Sequence, residues 1–340
     1  MSRSPEPVFI VGCPRSGNTL LGCLLNKHPE FFILFEKKLF SGLRRKWKSR
    51  KDSSVCTPVE RFVRQANSFI QQQEVDLSIS FDEFKAQHGE RSVNFGSLLD
   101  SYLRILMRRF KPSARVWGDK SPQNSAYLTQ IRRTYPQVRF LLIYRDPRHT
   151  VNSLSKESFP YASNNPMICA EVVRQYSQVV SEQKENIDPN CILDVRYEDL
   201  VREPERSLQR ICEFLEVTFT DRLLEPADRR TRQLFGWPSS KAWGRVVPQS
   251  SSTPPEDNGY VEPYLAEWIE TFGYDRQKQR FESGKRLLAE CYLAPYGSTT
   301  KLLNALFRLR YSTDERYLSQ KWPNVDKIKR WFVGSDTFFS

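Results

Sequence analysis

The sequence predicts an α/β protein with three layers, α/β/α, around a central, mostly parallel sheet. Short apolar runs typical of buried strands alternate along the chain with segments whose apolar residues recur at helical spacing. Strands that alternate with helices form parallel sheets with crossover helices. The chain has 340 residues, of which 39% are hydrophobic, and this is enough for a sizeable core. α/β enzymes of this length often form one unit.

The first strand leads into a P-loop-like turn that is suited to binding phosphate. Val8-Phe9-Ile10-Val11 is an apolar run, and the loop Gly12 to Gly17 precedes a helical segment that reaches Leu25. The free N–H groups at a helix start and the helix dipole attract phosphate. Asn18 stands where a Walker A loop has the lysine that reaches the outer phosphates of a nucleoside triphosphate. Arg15 is the cation inside the loop, and its planar fork suits one terminal phosphate without a Mg²⁺ site. A turn that holds no ligand is the alternative.

A second apolar run, Val138 to Tyr144, also turns into a helix. The turn that follows carries Arg145 and Arg148, and the helix carries His149 and Ser153 one turn apart on the same face. These side chains offer a second site for an oxyanion. A solvated basic helix end is the alternative interpretation.

The remaining elements follow from apolar runs and helical spacing. Strands are predicted at Phe31–Phe35, Val116–Gly118 and Cys191–Val195, and helices at Pro58–Gln73, Val93–Phe110, Ile168–Glu185 and Pro204–Leu215. The segment Phe40 to Asp52 is dense in lysine and arginine, and the polar stretch after it is predicted to be a loop or lid. Arg229 to Pro263 is predicted to be a long irregular loop of the kind that closes over ligands. We predict one domain over residues 1–285 and a basic, aromatic extension over residues 286–340 that packs on it.

The two turns together resemble those of the sulfotransferases that use 3′-phosphoadenosine 5′-phosphosulfate (PAPS). In that family, Pro-Arg-Ser-Gly-x-Thr holds the 5′-phosphosulfate, and Arg-Asp-Pro-Arg with a later serine holds the 3′-phosphate. This sequence has Pro14-Arg15-Ser16-Gly17-Asn18-Thr19, and Arg145-Asp146-Pro147-Arg148 with Ser153. Family-like pieces also occur at Leu24–Pro29, Gly118–Pro122 and Arg196–Leu200, so the resemblance covers roughly residues 8 to 216. The arginine in the first turn resembles the protein-tyrosine and bacterial-type branch, because the cytosolic small-molecule branch has lysine there.

The resemblance implies that PAPS is the donor, that no metal is required and that the acceptor carries a hydroxyl group. It assigns the PAPS site to Pro14, Arg15, Ser16, Gly17, Asn18, Thr19, Arg145, Ser153, Tyr197, Lys241 and Arg245. For Tyr197 the alternatives are a contact with adenine and simple packing. Lys241 or Arg245 is expected to reach the 3′-phosphate from the late loop.

The resemblance also suggests catalytic residues, with Arg15 among them. Glu36 is the candidate base, because the predicted strand Phe31–Phe35 delivers it to the ligand edge of the sheet. The protein-tyrosine branch has a catalytic glutamate at the corresponding distance after its loop arginine. Here Lys37 and Lys38 follow, where acidic residues or threonine are common in relatives, so a surface glutamate paired with one of them is the alternative.

Lys120 is the candidate cation between the leaving oxygen and the sulfuryl group. A lysine on an exposed turn is the alternative interpretation. His149 and His28 are the next candidate bases, and His28 fits a structural role better because it lies at a helix end.

Composition and net charge are compatible with more than one class of function. The net charge of +12 fits a polyanionic donor but also nucleic acid. The seven cysteines have no paired or metal-ligand spacing, and neither a signal peptide nor a membrane span is predicted. We therefore expect a soluble cytoplasmic enzyme whose acceptor is a carbohydrate, a lipid or a secondary metabolite, with a peptide tyrosine disfavoured. The oligomeric state is not predicted.

Two other functions fit the sequence less well than sulfuryl transfer. A P-loop kinase of a small molecule is disfavoured by Asn18 and by the second phosphate turn. A nucleic-acid-binding protein is disfavoured because the basic residues form no recognised motif, and no nucleic-acid partner is expected.

Overall fold

The computed structural model describes residues 7–48, 57–70, 77–156, 166–228, 244 and 261–275. The chain divides into two compact units. Unit 1 comprises Met1–Cys13, Gly17–Tyr144 and Gln183–Ser251, and unit 2 comprises Pro14–Ser16, Arg145–Glu182 and Ser252–Ser340. The predicted extension 286–340 lies outside the described residues, and the boundary at residue 285 stays a prediction.

Unit 1 contains a five-stranded parallel sheet with the strand order β2-β3-β1-β4-β5. The strands are β1 (Val8–Val11), β2 (Phe31–Phe35), β3 (Val116–Lys120), β4 (Arg139–Tyr144) and β5 (Ile192–Arg196). The predicted parallel sheet is therefore confirmed. The prediction that β3 ends at Gly118 was wrong, because Lys120 is in register with Ile10 of β1 and with Phe35 of β2.

The helices largely follow the predicted pattern. They are α1 (Asn18–Lys27), α2 (Arg44–Lys48), α3 (Pro58–Ile70), α4 (Phe81–His88), α5 (Phe95–Phe110), α6 (Leu128–Thr134), α7 (Pro147–Leu154), α8 (Pro166–Lys184), α9 (Tyr197–Arg202), α10 (Pro204–Phe214), α11 (Val261–Tyr264) and α12 (Ala266–Thr271). A π-helix covers Leu39–Leu43, and 3₁₀ turns cover Pro122–Tyr127, Pro189–Cys191 and Asp221–Leu223. α5 begins two residues later than predicted, because the Asn94 side chain caps it by accepting a hydrogen bond from Ser97 N. Most of the predicted loop 229–263 lies outside the described residues; the prediction is wrong at its end, where α11 begins.

Helices cover both faces of the sheet in unit 1. On one face, Val8, Ile10, Leu141 and Ile143 pack in a core cluster with residues of α1, α9 and α10. On the other face, Phe9 lies edge-on to Phe40 and Trp117, with ring centroids 6.0 and 5.9 Å apart. Phe40 in turn lies edge-on to Phe95 of α5. This arrangement agrees with the predicted three layers.

Side chains at the end of α1 fix the start of β2. The Asn26 amide donates to Ile33 O and accepts from Ile33 N, both at 2.8 Å. His28 Nδ1 accepts from Glu30 N at 3.2 Å, so Nε2 carries the hydrogen and donates to Thr218 O at 2.9 Å. Burial lowers the pKa of His28. His28 thus contacts backbone at a helix end, and the fixed β2 strand delivers Glu36 to the carboxyl edge of the sheet.

Candidate active site

The turn after β1 is bent by residues with positive φ. Gly12, Arg15 and Gly17 have φ values of 145°, 69° and 103°. A Cβ on Gly12 would lie 2.1 Å from Ile143 O, and a Cβ on Gly17 would lie 2.5 Å from Tyr197 Cδ2. Both positions therefore require glycine. Tyr197 packs closely against Gly17, and its contact with adenine stays a prediction.

Two neutral side chains of unit 1 hold this turn. Ser125 Oγ accepts a hydrogen bond from Gly12 N at 2.9 Å, and Asn18 Nδ2 donates to Cys13 O at 2.7 Å. The N–H groups in the first turn of α1 have no partner within the helix, so they suit a phosphate group. Sequence reasoning missed Ser125. The signal that points to it is the run of hydroxyl and amide side chains that follows Lys120.

Glu36, Lys120 and Thr19 form a hydrogen-bonded cluster in unit 1, defined here as the carboxylate–ammonium cluster. Lys120 Nζ donates to Glu36 Oε1 at 2.7 Å and to Thr19 Oγ1 at 3.1 Å. The Lys120 side chain is 0% exposed, whereas the Glu36 side chain is 33% exposed. Lys120 is therefore not on an exposed turn, and Glu36 pairs with Lys120 instead of lying on the surface beside Lys37 or Lys38.

The electrostatics of the cluster are set by the burial of Lys120. Burial lowers the pKa of its ammonium group, and the negative charge of Glu36 opposes that effect. The Lys120 Nζ atom also lies 5.1 Å from the centre of the Phe35 ring. The cluster thus joins a carboxylate that solvent can reach to a cation that solvent cannot reach.

In unit 2, the structure brings together two residues that were predicted from different turns. Arg15 Nε donates to Ser153 Oγ at 3.1 Å, and the Arg15 side chain is exposed. Pro14 and Ser16 beside it are buried. A guanidinium and a hydroxyl side by side offer several donors to an anion.

Arg148 in the second turn has acidic partners within unit 2. Its guanidinium is 2.7 Å from Asp146 Oδ2 and 3.1 Å from Glu262 Oε2, and it also donates to Asp275 O at 3.0 Å. All three charged side chains are at most 5% exposed. Asp146 also caps α7, because it accepts a hydrogen bond from Arg148 N. Arg148 therefore holds the turn together, and Arg145 stays the predicted anion ligand.

The structure describes two of the four remaining predicted site residues. Arg145 and His149 are half-buried in unit 2, and their roles stay predictions. Lys241 and Arg245 lie outside the described residues. Within the described ranges, no group of three histidine, cysteine or acidic side chains is arranged to hold a metal ion. None of the helices in those ranges is long and apolar enough to cross a membrane.

Comparison with known proteins gives concordant matches. A model of the sulfotransferase family matches residues 7–221, which is more than half of the chain. Protein-tyrosine sulfotransferase A of Caenorhabditis elegans is 25% identical over 231 residues, which is 66% of this chain and 53% of that protein. Protein-tyrosine sulfotransferase 2 of Gallus gallus is 26% identical over 257 residues, which is 72% of this chain and 59% of that protein. The chain thus spans little more than half the length of these two relatives.

A solved structure shares the fold. The sulfotransferase domain of the Synechococcus PCC 7002 olefin synthase matches with a TM-score of 0.51 and 20% sequence identity. The match covers 81% of this chain and 98% of that domain.

Proposed function

This chain belongs to the sulfotransferase family, and we propose that it transfers a sulfuryl group from PAPS to the hydroxyl group of an acceptor. The observation that carries the proposal is the carboxylate–ammonium cluster of Glu36, Lys120 and Thr19. It joins the carboxyl ends of β2 and β3 to the first turn of α1, and ligands of α/β sheets bind at this edge.

The residue types of the two turns suit the anionic groups of PAPS. The turn after β1 requires glycine at Gly12 and Gly17, which lets backbone approach a phosphate closely. The N–H groups that begin α1 would hold the 5′-phosphosulfate, and the family resemblance assigns Arg15 to the same group. Arg145 and Ser153 would hold the 3′-phosphate. When bound, PAPS supplies the sulfuryl group, whose S–O bond to the phosphate breaks as an S–O bond to the acceptor oxygen forms.

Glu36 is suited to take the proton of the acceptor hydroxyl. Among the described residues, only Lys120 bonds to its carboxylate, and it does so through Oε1. Oε2 is therefore left for the incoming hydroxyl, and the one-third exposure of the side chain lets an acceptor reach it. A general base of this kind contributes about a hundredfold to ten-thousandfold to the rate.

Lys120 is suited to stabilise the negative charge that develops on the leaving oxygen. Its ammonium group is held in a solvent-free position, where a charge acts more strongly than in water. When Glu36 accepts the proton it becomes neutral, so Lys120 loses its counter-charge at the moment when the leaving group gains one. The shared hydrogen bond thus couples base and cation.

The proposal includes a cytosolic enzyme with an acceptor of carbohydrate, lipid or secondary-metabolite type. The five cysteines in the described residues are all free thiols, which supports a reducing compartment.

A thermal-shift experiment separates this function from the two alternatives. The product 3′-phosphoadenosine 5′-phosphate (PAP) should stabilise a sulfotransferase in the presence of EDTA, because a ligand that binds only the folded state raises its melting temperature. ATP with Mg²⁺ should stabilise a kinase, and an oligonucleotide should stabilise a nucleic-acid-binding protein. Stabilisation by either of these and not by PAP would overturn the proposal.

A further inference from the structure

The residue before Lys120 in β3 is a buried carboxylate, Asp119, which is 2% exposed. Each of the other buried carboxylates in the described ranges forms an ion pair with an arginine: Asp146 and Glu262 with Arg148, and Glu171 with Arg174. Asp119 forms no ion pair within those ranges, and neutral donors hold it instead. Burying a charge is costly unless hydrogen bonds replace the lost water, so these donors are needed to keep Asp119 charged.

Three donors converge on the Asp119 carboxylate. Ser121 Oγ donates to Oδ1 at 2.7 Å, Asn124 Nδ2 donates to Oδ2 at 3.0 Å, and the backbone N–H of Phe40 donates as well. Burial raises the pKa of Asp119, and these hydrogen bonds and the charge of Lys120 oppose that effect. Asp119 thus links three stretches of chain: the end of β3, the 3₁₀ turn that follows it, and the segment that follows β2.

Two of these hydrogen bonds hold the backbone that carries Lys120. Asp119 and Ser121 flank Lys120 in the chain, so the hydrogen bond between their side chains spans it. Successive side chains of a strand face opposite sides of the sheet. Lys120 accordingly reaches Thr19 of α1, whereas Asp119 reaches Phe40 on the other side. The ammonium group is therefore placed by a strand end that Asp119 fixes from behind.

The third hydrogen bond holds the segment that contains Glu36. Glu36 and Lys38 have φ values of 50° and 49°, which residues other than glycine seldom adopt. Such conformations persist where surrounding contacts hold them. Glu36 N donates to Lys120 O at 2.8 Å, and Phe40 N donates to Asp119 four residues later. The candidate base thus lies in a sharp turn that is anchored at both ends.

We propose that Asp119 is a positioning residue for sulfuryl transfer, whose three hydrogen bonds hold Glu36 and Lys120 in the geometry that the reaction needs. The inference rests on the proposed function. Because the Asp119 side chain faces away from Lys120 across the sheet, it acts through the backbone and not on the reacting atoms.

Asp119 also supplies a lasting negative charge near Lys120. Burial lowers the pKa of Lys120, and the charges of Glu36 and Asp119 oppose this effect. Glu36 becomes neutral when it takes the proton of the acceptor, whereas Asp119 keeps its charge. Asp119 is thus the counter-charge that remains near Lys120 during the transfer.

The test uses Asp119→Asn, with Glu171→Gln as the matched control. Both variants remove the charge of a buried carboxylate and keep its size, and Glu171 accepts hydrogen bonds from three side chains of unit 2. The amide at position 119 leaves one oxygen for three donors, so at least one of the positioning bonds weakens or is lost. Ser121→Ala removes one donor and keeps the carboxylate, and it decides the question if Asp119→Asn does not fold.

Hydrogen exchange measures the positioning without any ligand. Peptides that cover residues 37–43 or 121–127 should exchange at least about tenfold faster in Asp119→Asn than in the wild type, while the peptide that covers β4 is unchanged. Ser121→Ala should speed exchange over residues 121–127, and Glu171→Gln should leave both segments at the wild-type rate. Wild-type exchange in both segments of Asp119→Asn, or an equal rise in every peptide, would contradict the proposal.

Kinetics separates positioning of the cluster from binding of the donor. Misplacing a reacting group by about 1 Å costs about a hundredfold in rate, so kcat with labelled PAPS should fall at least about tenfold in Asp119→Asn. The Kd for PAP should stay within about threefold of the wild type, and Glu171→Gln should keep both values. An unchanged kcat would overturn the proposal. A tenfold weaker binding of PAP would also overturn it, because Asp119 would then act on the donor site.

The double variant of Asp119→Asn with Glu36→Gln decides whether Asp119 acts through the cluster. Once the base is absent its position no longer matters, so Asp119→Asn should cost a factor at least about threefold smaller in this background than in the wild type. Losses that multiply would assign Asp119 a general structural role and overturn the proposal. If the wild type neither binds PAP nor transfers the label, the proposed function fails. The hydrogen-exchange result then still decides whether Asp119 holds the segments that carry Glu36 and Lys120.

Discussion

Replacing Glu36 by glutamine removes the candidate base while keeping its volume. The variant retains an oxygen that can accept the hydrogen bond from Lys120, but an amide cannot take the acceptor's proton. Because a general base contributes typically a hundredfold to ten-thousandfold, kcat should fall by about that factor, or about 2.7 to 5.4 kcal/mol in activation free energy. The affinity for PAP should stay nearly unchanged, because the phosphate turns are untouched.

The same substitution should have a modest effect on stability. Removing one partner of a fully buried ion pair costs about 3–5 kcal/mol. Lys120 is 0% exposed, but Glu36 is 33% exposed, and the glutamine keeps a hydrogen-bond acceptor. We therefore expect a loss of about 1–2 kcal/mol in the free energy of unfolding, reduced from the buried-pair figure by solvent screening. This loss is too small to account for the fall in turnover.

The assay follows the label from ³⁵S-PAPS to the best acceptor in a panel of hydroxyl compounds, or to water. Glu30→Gln is the matched control. Glu30 lies just before β2, whereas Glu36 lies just after it. The ion pair of Glu30 with Arg115 is also more exposed than the ion pair of Glu36 with Lys120. The control should keep wild-type turnover. Turnover of Glu36→Gln within about threefold of the wild type would refute Glu36 as the base and leave His149 as the next candidate.

Lys120→Ala should also cut turnover, and the double variant with Glu36→Gln should lose less than the product of the two single losses, because the two residues act as one unit. Losses that multiply would mean that they act independently.

Arg15→Ala should weaken PAP binding at least tenfold. Ser153→Ala should reduce the preference for PAP over adenosine 5′-phosphate. Calorimetry measures both affinities, and values unchanged from the wild type would show that these residues do not contact PAP. Glu262→Gln should destabilise the protein by about 1–2 kcal/mol in denaturant unfolding, because the buried Arg148 loses one acidic partner but keeps Asp146, and a midpoint like that of the wild type would contradict this. Burial lowers the pKa of His28 in the folded protein below its ordinary 6.5. As the pH falls below 6.5, the histidine therefore takes up a proton in the unfolded chain more readily than in the folded protein. The free energy of unfolding should then decrease as the pH falls. Melting temperatures from pH 7 to 5 check this, and His28→Gln should flatten the profile.

Sequence patterns predicted most of the sheet because its strands are short apolar runs. Val8–Val11 and Phe31–Phe35 are buried throughout, so their composition alone indicates strands. The last two residues of β3 were missed. Asp119 and Lys120 are poor strand formers, and they lie in a strand because hydrogen bonds from other side chains satisfy them. Ser121 and Asn124 bond to Asp119, and Glu36 bonds to Lys120.

No element was predicted for the basic segment that begins at Phe40, yet the structure has a π-helix over Leu39–Leu43 followed by α2. Phe40 is 0% exposed and packs against Phe9 on the central strand. Leu39, Phe40, Leu43 and Trp47 recur at helical spacing, but this signal was missed because lysine and arginine dominate the segment. A tertiary contact with a strand far along the chain fixes this segment.

The sequence predicted those site residues whose place depends only on the strand that they follow. Glu36 follows a strand directly, and the parallel sheet then places it at the carboxyl edge. The partners of these residues were harder to predict, because burial depends on the packing of several elements. Nothing in the run Glu36-Lys37-Lys38 indicates that Lys37 is nearly buried or that Glu36 pairs with a lysine far along the chain.

The most direct test of the central claim is a calorimetric titration of the wild-type protein with PAP and with adenosine 5′-phosphate, both in EDTA. Two phosphate-binding turns and no required metal predict that PAP binds at one site per chain, at least a hundredfold more tightly than adenosine 5′-phosphate. Equal affinities would contradict the second turn as a 3′-phosphate site. No binding of PAP, together with binding of ATP and Mg²⁺, would contradict PAPS-dependent transfer itself.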